Sequence, residues 1–234
     1  MANLLAIDTS SAWCSVALSL GDQAPELRHE AVSAGASQLL LPWIESLLTH
    51  AKISLKDLDA IAVGMGPGAF TGVRLGVAAV QGLAISNNLP TISVCSLDAI
   101  AAQLVKSPPF QKAAPRYFVI AVDARMEEVY WAKYETQSDS LPKRVGDIHL
   151  TKPEDLDLAG VDFLAGSAIG AYRERLPSFA GGLDAEITIS ALGVLDFAKQ
   201  LFAQGMQQDV RQLEPLYVRN KVALTTAERE EAFK

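Results

Sequence analysis

The chain has 234 residues, of which 50% are apolar and 20% are charged, and its formal net charge at pH 7 is −7. This is the composition of a soluble globular protein with one large core or two smaller lobes. The acidic balance argues against a protein that grips nucleic acid by its own surface, because phosphate contacts need clustered lysine and arginine. The sequence starts without the basic region of a signal peptide, and no apolar run is long enough to span a bilayer. Cys14 and Cys95 lie in apolar runs and are predicted to be reduced core residues, which favours a cytoplasmic protein.

The first third of the sequence predicts an antiparallel meander that is followed by an amphipathic helix. Apolar runs at 3–7 and 13–20 flank a polar turn that begins at Asp8, and residues 26–32 can form a third strand. Apolar side chains then recur at helical spacing over about residues 37–51. Leu40, Trp43 and Leu47 are predicted to be the core side of this helix.

The run from Gly64 to Gly82 is the most distinctive stretch of the chain. It follows a buried strand at 58–63, opens with a glycine-rich turn, and continues as a helix over about 70–86 with almost no polar face. This arrangement can receive either an anion or a closely approaching backbone, and the residues leave both open. Its spacing matches neither a Walker loop nor the dinucleotide fingerprint. Because Gly72, Gly76 and Ala79 share one helical face, another helix could approach closely there.

The opening pattern returns after a break at 106–109, where a strand at 117–122 ends in Asp123 and a return strand follows at 129–134. This repetition predicts a duplicated lobe. The predicted division is an N-terminal lobe at 1–106, a C-terminal lobe at 107–206, a segment at about 207–224 that returns to the first lobe, and a polar tail at 225–234. Further predicted elements are a strand at 91–95, helices at 96–105, 171–176 and 191–203, an irregular stretch at 135–158, a strand at 161–164, and a strand-like segment at 214–219.

Two aspartates at strand ends, facing each other across a cleft with glycine turns nearby, would suit a nucleotide clamp. The candidate residues of such a cleft are Asp8, Thr9, Ser10, Gly66, Gly68, Asp123 and Gly166. Asp8 could equally cap the hairpin turn, and Gly166 could serve only a sharp turn. The three histidines have no second ligand at helical spacing, so we expect no metal site. The serines lack the nucleophile elbow of a hydrolase, and no catalytic constellation emerges.

Four segments together resemble the TsaB (YeaZ) family of bacterial tRNA threonylcarbamoyladenosine biosynthesis proteins. They are AIDTSSAWCSVAL at 6–18, GMGPGAFTGVRLGVAAVQGLA at 64–84, VDARMEEVYWAKY at 122–134 and EPLYVRN at 214–220. The resemblance implies an α/β fold of two duplicated actin-like, ribonuclease-H-like lobes, as in actin, sugar kinases and Hsp70. Each lobe would be a mixed sheet with helices, in agreement with the repeated strand–aspartate pattern.

The resemblance also implies a non-catalytic partner subunit. The partner would be TsaD, which transfers the threonylcarbamoyl group to the tRNA adenosine beside the anticodon, with the ATPase TsaE in a ternary complex. TsaC with ATP would supply threonylcarbamoyl-adenylate. The chain would reach tRNA only through this complex, form a homodimer when alone, and need no cofactor, although nucleotide binding in the cleft stays open. The competing hypothesis is an autonomous actin-like ATPase or kinase that uses Asp8 and Asp123.

The resemblance also implies that TsaD-type relatives carry a metal-binding H-x-x-x-H motif. Its two histidine positions match Ser96 and Ile100 in this sequence, and neither of these side chains suits a metal ion. In the family the first two helices pack against TsaD or a second copy. The side chains predicted for that interface are Leu39, Leu41, Leu48, Gly72, Gly76 and Ala79. The sequence departs from the family pattern at Ala36, Leu39 and Ala69, the last of which removes a side-chain cap from the central helix.

Overall fold

The computed structural model describes residues 2–32, 35–138 and 140–219, so the predicted tail at 225–234 and the end of the returning segment lie outside the described residues. The strands are β1 (Leu4–Asp8), β2 (Trp13–Ser19), β3 (Glu26–Ala31), β4 (Ala60–Gly64), β5 (Thr91–Val94), β6 (Tyr117–Arg125), β7 (Glu128–Glu135), β8 (Lys143–Thr151), β9 (Phe163–Ala165) and β10 (Gly182–Asp184). The helices are α1 (Ala36–His50), α2 (Phe70–Asn87), α3 (Ser96–Leu104), α4 (Pro108–Ala113), α5 (Ala168–Tyr172) and α6 (Ala191–Ala203).

The strands form two five-stranded mixed sheets with the same topology. The first sheet has the order β3-β2-β1-β4-β5, and the second has the order β10-β9-β6-β7-β8. In each sheet three successive strands make an antiparallel meander, and two later strands add in parallel beside its first strand. The predicted duplicated α/β fold is therefore confirmed.

Helices and sheets alternate in layers because the central strands are buried on both faces. Helices α1 and α2 cover one face of the first sheet, where alternate residues of β1 such as Leu5 and Ile7 point into their core. The other face, with Leu4 and Ala6, packs on α3 and α6 in a core that continues into the second sheet. Helix α5 covers the far side of the second sheet. The outer sides of α1 and α2 consequently form a surface of the molecule.

The division into lobes stays a prediction, and two contacts bear on where the chain passes between the sheets. Helix α6, which the sequence assigned to the C-terminal lobe, contacts strands β1, β4 and β5 of the first sheet. Farther along, the backbones of Gln208 and Thr91 exchange hydrogen bonds, and Leu213 is fully buried in the core under α1 and α2. The chain thus returns to the first sheet before residue 206.

Several local predictions were wrong. The stretch at 135–158 contains strand β8, an edge strand that is missed because its residues are largely polar, and β10 is too short to give a pattern. The break at 106–109 leads directly into α4, whose Phe110 is buried against Phe118 and Phe163. Helix α5 begins earlier than predicted. The segment at 214–219 belongs to no strand.

Candidate functional site

Asp8, at the end of β1, is buried beneath the loops that follow the strands of the first sheet. Its carboxylate accepts hydrogen bonds from the backbone N–H and the hydroxyl of Ser10, at 2.8 and 2.9 Å. Ser96 Oγ donates to Ser10 Oγ at 3.1 Å and accepts from the backbone N–H of Gly66. Burial raises the pKa of the Asp8 carboxyl to about 7, although the serine hydrogen bonds act in the opposite direction. Asp8 is therefore a buried anchor of the β1–β2 loop.

The glycine-rich loop packs against that β1–β2 loop. A Cβ at Gly64 would lie 1.8 Å from Asp8 Oδ2, one at Gly68 2.2 Å from the carbonyl oxygen of Ser10, and one at Gly72 1.9 Å from that of Thr9. Real Cβ atoms do not approach so closely, so only glycine fits at these positions. Of the two uses that the sequence left open, the structure shows close approach of the chain's own backbone.

Asp123, at the end of β6, secures the β6–β7 turn. It accepts hydrogen bonds from the N–H of Arg125 at 2.8 Å and from the hydroxyl of Tyr172 at 2.7 Å, and the Arg125 guanidinium lies 3.2 Å from it. Arg125, Met126 and Glu127 all have positive φ angles, between 54° and 61°, which side chains other than glycine rarely adopt. The carboxylate is thus engaged in stabilising an unusual turn.

A cavity of about 390 Å³ lies between the two sheets. Of the residues predicted for a nucleotide cleft, Ser10, Gly68 and Asp123 line it. Asp8, Thr9, Gly66 and Gly166 do not, and a Cβ at Gly166 would collide with the carbonyl oxygen of Ala121. Ser96 and Ile100, the two positions at which the family resemblance implies a lost metal motif, both line the cavity as buried residues. The paired-aspartate clamp is therefore not formed, because Asp8 is separated from the cavity.

The sequence predicted that the segment at about 207–224 returns to the first lobe, but not that it crosses this cavity to the second sheet. Residues 213–219, here called the strap, extend from the first sheet to the β6–β7 turn. The N–H of Leu216 donates to Met65 O at 2.8 Å. At the far end, Arg219 contacts Glu128 Oε2 at 2.6 Å and donates to the carbonyl oxygen of Ala124 at 3.2 Å, and its side chain is only 12% exposed. The strap therefore ties the two sheets together.

Near its middle, the strap touches the start of α2. Arg74 Nε donates to the hydroxyl of Tyr217 at 2.9 Å, and the Arg74 guanidinium lies 3.7 Å from the centre of the Phe70 ring. Both rings are about half exposed. Ala69, which precedes α2, makes no side-chain cap.

The residues predicted to form a partner interface lie in different environments. Leu48 and Gly76 are buried, and a Cβ at Gly76 would lie 2.9 Å from Thr9 Oγ1. Leu39 and Ala79 are half-buried and pack on the core under α1 and α2, and Gly72 faces Thr9. Leu41 is 52% exposed. The prediction that the Gly72–Gly76–Ala79 face meets a partner is wrong, because that face packs against the first sheet and its loop.

The opposite side of α2 is the exposed one. Thr71, Arg74, Ala78, Gly82 and Ile85 recur there at helical spacing, and Ile85 is 64% exposed. Nothing lies within 4 Å of a Cβ placed at Gly82. These five residues are called the outer face of α2 below.

Within the described ranges, no group of three or more histidine, cysteine, aspartate or glutamate residues is arranged to ligate a metal ion. None of the helices in that part of the chain combines the length and the hydropathy that a bilayer crossing requires. Both cysteines are buried and free, and burial raises the pKa of Cys95 to about 12.

Two sheets of identical topology, with α3 and α6 between them and a cavity at the strand ends, define the actin-like and sugar-kinase-like class. A sequence profile of the family described as "TsaD: tRNA N6-adenosine threonylcarbamoyltransferase" matches residues 29–223. Over 94% of its length the chain is 35% identical to the tRNA threonylcarbamoyladenosine biosynthesis protein TsaB of Escherichia coli, of which it covers 96%. The chain belongs to the TsaB (YeaZ) family.

Two further similarities support this assignment. The TsaB protein of Haemophilus influenzae is 31% identical, with 94% of each chain covered. A solved structure of YeaZ from Pseudomonas aeruginosa superposes with a TM-score of 0.83 at 37% identity, covering 93% of this chain and all of the other. The likeness therefore extends through both sheets.

Proposed function

We propose that this chain is the partner subunit of a TsaD-type threonylcarbamoyltransferase in the formation of threonylcarbamoyladenosine in tRNA. Its relatives are named for that biosynthesis, and the profile that fits most of the chain is that of the transferase itself. In this proposal the chain contributes no catalytic group. It binds TsaD, joins the ATPase TsaE in a ternary complex, forms a homodimer when alone, and meets tRNA only through the complex.

The outer face of α2 is the observation that carries the proposal. Ala78 and Gly82 leave a shallow surface on which the backbone of a facing helix can come close. Ile85 on this face and Leu41 on α1 are exposed apolar side chains. Arg74 is the one charged residue of α2. An exposed helix face made of small and apolar residues is typical of a helix–helix interface between subunits.

The site between the sheets supports an accessory role over an autonomous ATPase. Asp8 is buried behind Ser10 and Ser96, and Asp123 is occupied by Arg125 and Tyr172. Ser96 and Ile100 stand where TsaD-type relatives carry metal ligands. Backbone amides of the glycine-rich loop, those of Met65, Gly66 and Ala69, donate to oxygens of this chain, which leaves them unavailable to a phosphate.

Substitution of Gly82 by leucine tests the interface. A Cβ there meets nothing within 4 Å on an exposed helix face, so the fold should persist, while a facing helix would be held away. We expect Gly82→Leu to lose co-elution with TsaD on size exclusion while its melting temperature stays equal or rises. Gly170→Leu is the matched control, because Gly170 is also a helical glycine with open space around it. Normal co-elution of Gly82→Leu would contradict the proposed interface.

A further inference from the structure

The cavity between the sheets is not used by the proposed partner function, and its walls are mainly apolar. Residues from both sheets, from α3, from the segment before α6 and from the strap line it. The apolar side chains include Trp13 from the first sheet, Val122 and Tyr130 from the second, Ile100 from α3, Ile189 before α6 and Leu216 from the strap. Its volume of about 390 Å³ lies in the range of small-molecule sites, about 300–1,000 Å³, which are also lined mostly by apolar and aromatic groups.

The few charges in the walls are paired with each other or with neighbours. Among the described residues that line the cavity, those with charged side chains are Asp123, Arg125 and Arg219. Arg125 lies 3.2 Å from Asp123, and Arg219 contacts Glu128 at 2.6 Å. Each cation is thus balanced by a carboxylate, so the lining offers no surplus of positive charge for a phosphate chain.

The hydroxyl groups of Ser10, Ser96 and Ser167 are likewise engaged. Ser10 donates to Asp8, Ser96 donates to Ser10, and Ser167 accepts from the N–H of Asp123 at 3.1 Å. A ligand that bonds to these three hydroxyls would have to compete with the existing contacts, and each broken contact would leave a buried polar group unsatisfied. An uncharged ligand that buries apolar area would leave them intact.

We propose that this cavity is a binding site for an uncharged, mainly apolar small molecule with an aromatic ring system, and that it is not a nucleotide site. Trp13 and Tyr130 supply aromatic walls. The strap forms one side of the site through Leu216 and Val218, so a bound molecule would touch both sheets and the segment that joins them. The proposal does not depend on the partner function, because the outer face of α2 takes no part in it.

The test uses the whole chain and Nile red, an uncharged aromatic dye whose fluorescence rises on burial. We expect saturable binding of one dye per chain, unaffected by millimolar ATP with Mg²⁺. Ala12 and Ala171 are exposed residues on opposite walls of the cavity, and a tryptophan at either position would fill part of it. Each of the variants Ala171→Trp and Ala12→Trp should therefore weaken binding by about tenfold or more. Ala180→Trp, at an exposed position outside the cavity, is the matched control and should bind as the native chain does.

Three results would overturn the proposal. The first is an absence of saturable binding by the native chain. The second is binding that neither cavity variant weakens, which would place the dye on another surface, and Ile85→Glu would then reveal whether that surface is the outer face of α2. The third is displacement of the dye by ATP with Mg²⁺, which would identify a nucleotide site. A normal thermal melt of the two cavity variants establishes that weaker binding reflects a filled cavity.

Discussion

At the residue scale, two glycines of α2 have opposite surroundings. A Cβ at Gly76 would lie 2.9 Å from Thr9 Oγ1 and 3.5 Å from Val63, whereas one at Gly82 meets nothing within 4 Å. We expect Gly76→Leu to lower the free energy of unfolding by about 1–3 kcal/mol through overpacking. Gly82→Leu should leave it unchanged or raise it by up to about 1 kcal/mol, because glycine is a poor helix former. Urea unfolding of both variants measures the difference, and equal stabilities would contradict the assigned faces of α2.

Asp8 is the residue whose titration should be visible in stability. Its pKa of about 7 in the folded chain lies above the ordinary value of 3.8. Between these values the folded state keeps a proton that the unfolded state has lost. The contribution of Asp8 to the free energy of unfolding is therefore fully present below about pH 4 and is lost as the pH rises through about 7. The slope is at most about 1.4 kcal/mol per pH unit.

Asp8→Asn removes this titration and keeps a side chain of the same shape. Comparing urea unfolding of the native chain and the variant between pH 5 and pH 8 cancels most contributions of other groups. The difference in unfolding free energy should move in favour of the variant as the pH rises. Parallel pH profiles for the two proteins would show that Asp8 is ionised throughout this range.

At the element scale, the strap adds a second link between the sheets, beside the core that contains α3 and α6. Arg219→Ala removes the contacts with Glu128 and with the carbonyl oxygen of Ala124. We expect a loss of about 1–2 kcal/mol in stability, as for hydrogen bonds to charged groups, and faster hydrogen exchange at the N–H of Leu216. Arg211→Ala, at a side chain that is 85% exposed, is the control. Unchanged protection at Leu216 would mean that Arg219 does not secure the strap.

The elements that were predictable from sequence are those with strong local patterns. The meander, the buried strand β4 and helices α1, α2 and α6 follow from apolar periodicity and glycine turns. Strand β8 is recognisable only beside β7, because its own residues alternate weakly. The strap has no local signature, since nothing in the sequence around Arg219 specifies that its partners lie in the β6–β7 turn.

The orientation of α2 shows why site residues are harder to predict than elements. Helical spacing correctly places Gly72, Gly76 and Ala79 on one face, but the opposite face also carries small residues, Ala78 and Gly82. Periodicity identifies faces without telling which of two similar faces points inward. The deciding contact is with Thr9, which is distant in sequence and close only in the folded chain.

At the scale of the whole molecule, duplication of the sheet was predictable because strand, aspartate and return strand recur along the chain. The roles of the two aspartates were not predictable, because they depend on the burial of each carboxylate and on the side chains that contact it. Asp8 is sealed behind serines, and Asp123 stabilises a turn with three positive φ angles. The molecule thus has the duplicated actin-like, sugar-kinase-like fold, while the carboxylates at its two strand ends stabilise the loops that follow them.

The most direct test of the central claim is threonylcarbamoylation of tRNA by TsaD and TsaE supplied with threonylcarbamoyl-adenylate. We predict no modification above background without this chain, and restoration by the native chain. Ile85→Glu, which places a charge on the outer face of α2, should reduce the rate by about tenfold or more, as expected for loss of about 1.4 kcal/mol of binding. Leu183→Glu, at an exposed position on β10, should remain active. Full modification without the chain, or with the Ile85→Glu variant, would contradict the account.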